Sequence, residues 1–598
     1  MFQMILYGTD DDEMTLKQNV NKKTGRIHLS MIRSYREPGH KYPKMQTVET
    51  FGYVDVLKSQ YEDPIAHFRE YVAECNRAKT LESAEYTIIA KKNEQLPTDT
   101  TNRKNYGYAV ILTILAELGL DRFLVNRRQS TKIKCDTSAV MKLLVISRIL
   151  SPGSKKRAFE ERERYFDFER KDSFDLKDIY RCLSHFSDIS KDAQKLVHER
   201  ISKRYGRKTN LMYYDCTNYY FEIDLEDELR RKGPGKEHRP NPIVQLGLSM
   251  DEEGIPIAYE IFPGNESEKL HLRPMFSELV REYDTGKMIA VADSAQNTGN
   301  NIYYLDKARH GYVFSQSIRG GSAEFKQYVL NPDGYEWYGE KYMRKSCVRR
   351  RDILVDFVRS DGSTYKKKVT VDQRQIIFYS EKYALRSRLK REQVIKKAQQ
   401  IISNTAAYTS ATSYGALKYV KNVEVDKKTG EIKPSKGKPA FDMDKLLEDE
   451  KYYGYYAIVT NVFNEGKHYG KFDDDAIIDI YHGLWRIEDN FRVSKSDLEA
   501  RPIHLSRKDR INAHFLICFI CMVIIQLIRK RTDYQHSSAK LIEAMNNISC
   551  SNEDGNLYLF DFRSDISDHL GEVFNLDFTK KRLARAEIKK NLSDAKKT

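Results

Sequence analysis

The sequence predicts a multidomain α/β protein built around one mixed β-sheet. Three observations lead there. The chain has 598 residues, 40% of them hydrophobic, which suits roughly three to five domains with ordinary cores. Between residues 210 and 318 apolar runs and helical patterns follow one another as three strands, helix, strand, helix, strand. A wholly helical stretch precedes this part and a β-rich stretch follows it.

Residues 1–95 read as a small β-rich module closed by a helix. NKKTGRIHLSMIRSYRE alternates apolar and polar residues after a Lys-Lys-Thr-Gly turn, the pattern of a half-buried hairpin strand, and KMQTVETFGYV predicts another. In DPIAHFREYVAECNRAK, Asp63 is placed to cap a helix and Pro64 to open it. Residues 100–207 are helical: YGYAVILTILAELGLDRFL, AVMKLLVISRIL, DIYRCLSHFSDI and DAQKLVHERISKRYG carry apolar residues at a 3.6 period. Basic clusters at Arg127, Arg128, Lys132 and Lys134, and at Lys155, Lys156 and Arg157, suit a helix-turn-helix reader of DNA ends. A helical packing domain with solvated lysines suits them equally.

The mixed-sheet core is expected over 208–318 and 452–500. LMYYDCTNYYFEI reads as strand, turn and strand. NPIVQLGLSMD and GIPIAYEIFPGN flank a hairpin turn at Asp251–Gly254. HLRPMFSELVREY is a helix, KMIAVADSA a short buried strand ending in Asp293, NNIYYLDKARHG a helix and GYVFSQSI a strand. This is the order of a ribonuclease-H-like core with helices on both faces. Its closing helix is delayed by a β-rich insertion over 319–451. The strand YYGYYAIVTN and the amphipathic segment YHGLWRIEDNFRVSK come next. Residues 501–598 form a C-terminal helical region. Its basic end, FTKKRLARAEIKKNLSDAKKT, is expected to be partly disordered.

Lysine and arginine number 101 against 86 acids, a net charge of +15. Such an excess points to a polyanionic partner, nucleic acid first and an anionic membrane surface second. The eight cysteines lack zinc-ribbon spacing. Their one C-x-x-C, Cys518 and Cys521, sits in FLICFICMVIIQLI and reads as core. That run of about 14 residues is too short to span a bilayer. MFQMILYGTDDDEM has neither a basic n-region nor a full apolar stretch, so no secretory leader is expected and the compartment reads as cytoplasm.

Tyr481, Glu488 and Lys495 recur at intervals of seven, close to two helical turns or about 700°. They share one stripe of a helix, beside Leu484, Phe491 and Arg492. Alone, the segment also reads as a solvated face with an i,i+4 pair, Glu488 to Arg492. Asp215 in the first core strand and Asp293 at the end of the fourth add to it. Those strands are neighbours in a sheet of this order, and a helix packed across them delivers Glu488. Three converging carboxylates repel unless a cation sits among them. Hard oxygen ligands favour Mg²⁺ or Mn²⁺, and two ions about 4 Å apart suit phosphodiester chemistry.

The same segments carry a resemblance. YYDCTNYYFE around Asp215, KEHRPNPIVQLGLSMDEEGIPIAYEIFPGNESE, VADSAQNTGNNIYYL around Asp293 and YHGLWRIEDNFRVSKSDLEARPIHLSRKDRINAHF around Glu488 resemble the IS4-type DDE transposases of bacterial insertion sequences, most closely the IS1634-like branch. The likeness spans most of residues 20 to 530. The last motif is similar to the group's tyrosine–arginine–glutamate–lysine signature at Tyr481, Glu488 and Lys495. It departs at Leu484, where the arginine is expected, and Ser294 follows Asp293 where an arginine is common. Arg486 lies roughly 160° from Glu488 on an ideal helix, so Arg492 is the better stand-in. The resemblance implies Asp215, Asp293 and Glu488 as catalytic residues and ligands of two Mg²⁺ ions, for which Mn²⁺ can substitute. It implies Tyr481, Arg492 and Lys495 as phosphate contacts.

Trp337, in DGYEWYGEKYMRK, stands among tyrosines and ahead of cations. That composition suits stacking on an unpaired base, and the resemblance implies an insertion that distorts DNA and holds a flipped base. A packed strand aromatic is the alternative. His238 and Arg239 are placed to approach DNA beside Asp215 or to cap a loop. Taken whole, the resemblance implies a transposase that binds terminal inverted repeats of double-stranded DNA. It would pair the ends as a homodimer, cut with Mg²⁺ and join the 3′-hydroxyl to target DNA, with no membrane involved. The alternatives are a metal-dependent nuclease on the same fold and an inactivated transposase that only binds DNA.

Overall fold

A computed structural model of the chain describes residues 14–21, 24–35, 44–82, 95, 98, 102–169, 174–233, 241–339, 342–408, 413, 415–426, 431–435, 437–463, 472–553 and 556–597. They fall into two compact units, Met1–Thr100 and Thr101–Thr598.

The first unit is a three-stranded antiparallel sheet, β1 (Met14–Val20), β2 (Ile27–Tyr35) and β3 (Lys44–Tyr53), with β2 in the middle. A helix, Pro64–Glu82, follows. Asp63 caps it as the sequence suggests, its Oδ1 accepting from Ile65 N at 3.0 Å and Ala66 N at 3.1 Å. Phe51 of the sheet stacks on Phe68 of the helix with ring centroids 4.1 Å apart, which fastens the two layers.

The second unit is organised by a nine-stranded mixed sheet. Its strands include β4 (Leu211–Tyr220), β5 (Ile243–Met250), β6 (Pro256–Pro263), β7 (Ile289–Ala292) and β8 (Gly311–Ser315). A long hairpin, β9 (Tyr342–Val358) and β10 (Thr364–Tyr379), and then β11 (Tyr455–Thr460) complete the main set. From the short edge strand Glu336–Tyr338 inward the order is β9, β10, β11, β8, β7, β4, β5, β6. β5 lies between β4 and β6 and is antiparallel to both, while β7 runs parallel to both β4 and β8.

The β5–β6 turn closes as its sequence predicts. Asp251 Oδ1 accepts from Glu253 N and Ile255 N at 3.0 and 2.9 Å, and Gly254 takes the left-handed conformation at φ +86°. The turn expected inside LMYYDCTNYYFEI is absent. Pairing with β5 from Tyr213↔Met250 to Tyr220↔Ile243 holds that segment as one strand, so ladder bonds override the turn preference of Asp215 and Asn218. The long strands of the 319–451 stretch also differ from expectation. They extend the core sheet, because β10 pairs with β11 from Arg374↔Thr460 to Tyr379↔Tyr455.

Each face of the sheet has its own core. Met212, Tyr214, Ala290 and Phe314 pack with residues of the Leu272–Glu282 and Gly299–Lys307 helices. Tyr213, Tyr219, Val291 and Val313 join a larger core with the helices of 109–205, the 474–498 segment and the Lys508–Arg531 helix. That last helix is 24 residues long and buried from Phe515 to Ile528, longer than the apolar run alone indicated. It is long and apolar enough to cross a membrane, yet 94% of its apolar window is buried inside the protein. Cys518 and Cys521 are core residues, 1% and 0% exposed.

The basic C-terminal end is ordered rather than partly disordered. Arg582–Ala584 is a strand of a second, four-stranded sheet. The Arg585–Asp594 helix buries Ile588 and Leu592; burial of these two apolar residues outweighs the local excess of charge. The basic clusters of the helical stretch are partly consumed by packing. Lys155 is 6% exposed, Arg157 pairs with Glu161 at 2.7 Å, and Arg127 pairs with Asp192 at 2.6 Å.

Candidate active site

β4 and β7 run side by side with Leu211↔Ile289, Met212↔Ala290 and Tyr213↔Val291 in register. Extended two residues past its last pair, that register would set Asp215 opposite Asp293, which directly follows β7. Side chains alternate faces along a strand, so both carboxylates share the face of Tyr213 and Val291. Asp293 directly follows β7 with an extended backbone and caps the turn Ser294–Gln296, its Oδ1 accepting from Ala295 N at 2.9 Å. Asp215 Oδ1 accepts from Cys216 N at 2.7 Å. Both aspartates are half-buried.

The segment 474–497 roofs this face. The single helix expected over Tyr481–Lys495 is instead two, Asp474–His482 and Trp485–Arg492, followed by a π turn at Val493–Asp497. The junction is tight: Leu484 N donates to Tyr481 O and Arg486 N to Gly483 O, both three residues back. At this junction the backbone touches the sheet. Tyr213 Oη donates to Ile480 O at 3.1 Å, and a Cβ on Gly483 would lie 2.0 Å from that hydroxyl oxygen. Only a residue without a side chain fits there.

Beyond Glu488 the π turn brings the roof down again. Lys495 Nζ donates to Thr217 Oγ1 at 2.6 Å and lies 5.6 Å from the Tyr219 ring. Ser494 Oγ is 2.8 Å from Tyr219 Oη. Tyr213, Asp215, Thr217 and Tyr219 are alternate residues of one strand face. The roof therefore grips this face on both sides of Asp215, at Tyr213 and at Thr217 and Tyr219.

Contacts on either side give the direction of Glu488. Asn490 Nδ2 donates to Gly254 O at 3.0 Å, and the stem of Arg486 packs on Gly254, so those two side chains turn toward the β5–β6 hairpin. Tyr481 turns the other way, toward Ser315 of β8. Burial pushes its phenol up to about 12, and the Asp293 carboxylate adds to the rise. Glu488 is exposed. Its charge adds to the raised pKa of Tyr456 on β11, where burial is the main cause, and Tyr456 acts on Tyr481 as well. Glu488 thus lies within electrostatic reach of Tyr456 on β11.

Among the described residues, no three histidine, cysteine, aspartate or glutamate side chains converge closely enough to hold a metal between them. The donor chemistry nevertheless suits Mg²⁺, which binds through one or two carboxylates and fills its shell with water and substrate phosphate.

The remaining candidates are dispersed. Arg492 pairs with Asp489 at 3.0 Å and Asp497 at 3.2 Å and donates to Ser538; these take the place of the expected pair with Glu488. Leu484 is half-buried against the main core. Trp337 lies on the edge strand and is 64% exposed, so it is not packed. Its neighbour Tyr338 stacks on Tyr342 with centroids 5.3 Å apart. Both line a cavity of about 520 Å³ with Phe378, Tyr383, Asp479 and His482. His238 and Arg239 lie outside the described residues.

Four residues at the site escape sequence reasoning. Thr217 and Tyr219 become visible once LMYYDCTNYY is read as one strand, because they then share the face of Asp215. The contact of Tyr213 with Gly483 spans 270 positions of chain, and no local pattern announces it. None of the curated proteins compared with the chain matches it. Residues 16–85, which cover most of the three-stranded unit and its helix, match the IS1634 family transposase N-terminal domain.

Proposed function

We propose that the chain is the DDE transposase of an insertion sequence, acting on double-stranded DNA. The observation that supports this reading is the β4–β7 register, which extended by two residues would set Asp215 opposite Asp293, with the helix of Glu488 packed on β4. The order β6, β5, β4, β7, β8, in a mixed sheet, supports the reading of a ribonuclease-H-like core. The match of residues 16–85 supports an insertion-sequence origin.

Asp215, Asp293 and Glu488 would hold Mg²⁺, two ions in the full reading, with Mn²⁺ able to substitute. Bound there, the ions activate the attacking oxygen and neutralise the leaving one. Lys495, steadied by Thr217 and Tyr219, offers an ammonium for a DNA phosphate; Tyr481 lies beside Asp293 and lines the same approach. Such contacts fix the DNA without reading its sequence. Water would first break the phosphodiester at the element's end and free a 3′-hydroxyl. That hydroxyl would then attack a target phosphodiester, forming one P–O bond as another breaks. Two protomers would hold the two ends together.

A second reading, a transposase relic that only binds DNA, draws on the absence of a tight three-residue metal cluster among the described residues. One experiment separates the two. Purified protein is incubated with a labelled duplex bearing the element's own terminal repeat, read from the DNA flanking the gene, with Mg²⁺ or with Ca²⁺. Cleavage at the repeat boundary that needs Mg²⁺ and is lost in Asp215→Asn, Asp293→Asn and Glu488→Gln is expected. Specific binding without cleavage would leave the DNA-binding reading. Cleavage that survives Glu488→Gln would sink the assignment.

A further inference from the structure

Away from the three carboxylates, the second unit contains a cleft of about 600 Å³ with a strongly cationic lining. One wall is the end of the Ser190–Tyr205 helix, which presents Arg200, Lys203 and Arg204 at i, i+3 and i+4, on one face. The opposite side is the start of the Leu120–Arg128 helix with Arg122, together with Lys596 and Lys597 from the C-terminal end.

The carboxylates at the cleft are turned to other work. Glu117, 3% exposed at its side chain, bridges Arg204 at 2.9 Å and Arg531 at 3.0 Å and accepts from Tyr205. Asp121 pairs with Lys142 at 2.6 Å and accepts from Ser138. Lys596 is held by Asp167 at 2.6 Å and Lys597 by Asp594. Among the described residues no carboxylate pairs with Arg122, Arg200 or Lys203, and all three are exposed.

The backbone makes room for this arrangement. Gly119, at φ +66°, sits where a Cβ would come within 2.9 Å of Arg200 Nε. Glu117 beneath Arg204 keeps that guanidinium from swinging freely. A concave site that gathers unneutralised cations concentrates positive potential and draws a polyanion. We propose that this cleft binds phosphates of the DNA backbone, a contact separate from the reacting site and independent of base sequence. The inference rests on the reading of DNA as substrate.

The test uses the full chain, a fluorescent 30-bp duplex lacking the terminal repeat, and Ca²⁺ to prevent cleavage. Binding is measured by anisotropy against salt for the wild type and for Arg200→Ala/Lys203→Ala. Two lost phosphate contacts should lower the slope of log K against log salt by about 1.8 and weaken binding at 0.1 M salt by one to two orders of magnitude. Thermal unfolding of the variant should match that of the wild type, so that a change in slope reports on the cleft and not on the fold. DNA binding with an unaltered slope would overturn the proposal. So would protection by sodium tripolyphosphate, read as a thermal shift lost in the variant, alongside an unaltered DNA slope; that result would make the cleft a site for free polyphosphate. A wild type that binds no duplex at any salt would overturn both this proposal and the DNA reading beneath it.

Discussion

Replacing Gly483 by alanine tests how closely the roof must sit on the sheet. An alanine Cβ would lie 2.0 Å from Tyr213 Oη, 2.5 Å from Cζ and 2.8 Å from an Arg486 nitrogen. Ordinary contact is about 3.5 Å or more, so one side must yield by more than about an ångström. Tyr213 cannot yield easily: it is 2% exposed, and its hydroxyl is tied to Ile480 O, a bond worth about 1 kcal/mol. Helix propensity favours alanine over glycine by about 1 kcal/mol. Overpacking opposes it by about 1–3 kcal/mol, and the loss of the hydroxyl bond adds to that side. The expected net effect is a destabilisation of about 1–3 kcal/mol in urea unfolding. The chain should stay folded while the roof lifts. Because a misplacement of about 1 Å can cost roughly a hundredfold in rate, cleavage of the matched duplex should fall far more than stability does. Tyr213→Phe removes the atom at 2.0 Å and leaves the ring carbon at 2.5 Å, so the double variant should recover only part of the loss. A Gly483→Ala protein as stable as the wild type, with cleavage within twofold, would refute this reasoning.

Two further expectations concern charge and exposure. Lys155 is 6% exposed, lies 3.4 Å from His514 Nδ1, and is lowered by burial to about 7 from its ordinary 10.5. Above pH 10.5 it is neutral in both states and costs nothing. As pH falls the unfolded chain takes the proton first, and the penalty grows until about pH 7 and is constant below. Stability should therefore rise between pH 7 and 10 by up to about 1.4 kcal/mol per unit from this group. Lys155→Met should remove that slope, as unfolding at pH 7, 8.5 and 10 would reveal; an unchanged slope rejects the assignment. Trp337→Ala should leave stability within about 0.5 kcal/mol, since the ring is 64% exposed. It should weaken binding of a duplex with a single-stranded overhang by about 1–3 kcal/mol if the indole stacks on a base. Equal affinities would rule out stacking.

Local sequence marks the secondary elements and nominates the candidate carboxylates. Apolar runs on either side of a turn made β5 and β6 legible, Asp251 and Gly254 marked that turn, and Asp63 marked a helix start. Such signals act within a few residues, through capping oxygens, left-handed turns and side-chain periodicity. Asp215, Asp293 and Glu488 are nominated by their places in the predicted order of strands and helices and by the resemblance, and their carboxylates are hard oxygen donors. Tertiary structure decided what depends on distant surfaces. The eight ladder pairs to β5 kept β4 unbroken where its own residues suggested a turn. The strand β11, nearly 80 residues beyond β10, drew the long hairpin into the core sheet. Tyr213 required Gly483, and that contact split the expected single helix in two. The free cations also changed place: Arg127 and Lys155, prominent in the sequence, are paired or buried, while Arg122, Arg200 and Lys203 from separate helices meet at one cleft. A chain encodes which groups it carries, but their neighbours follow from the lowest-energy packing of whole surfaces, and a local pattern does not contain that sum.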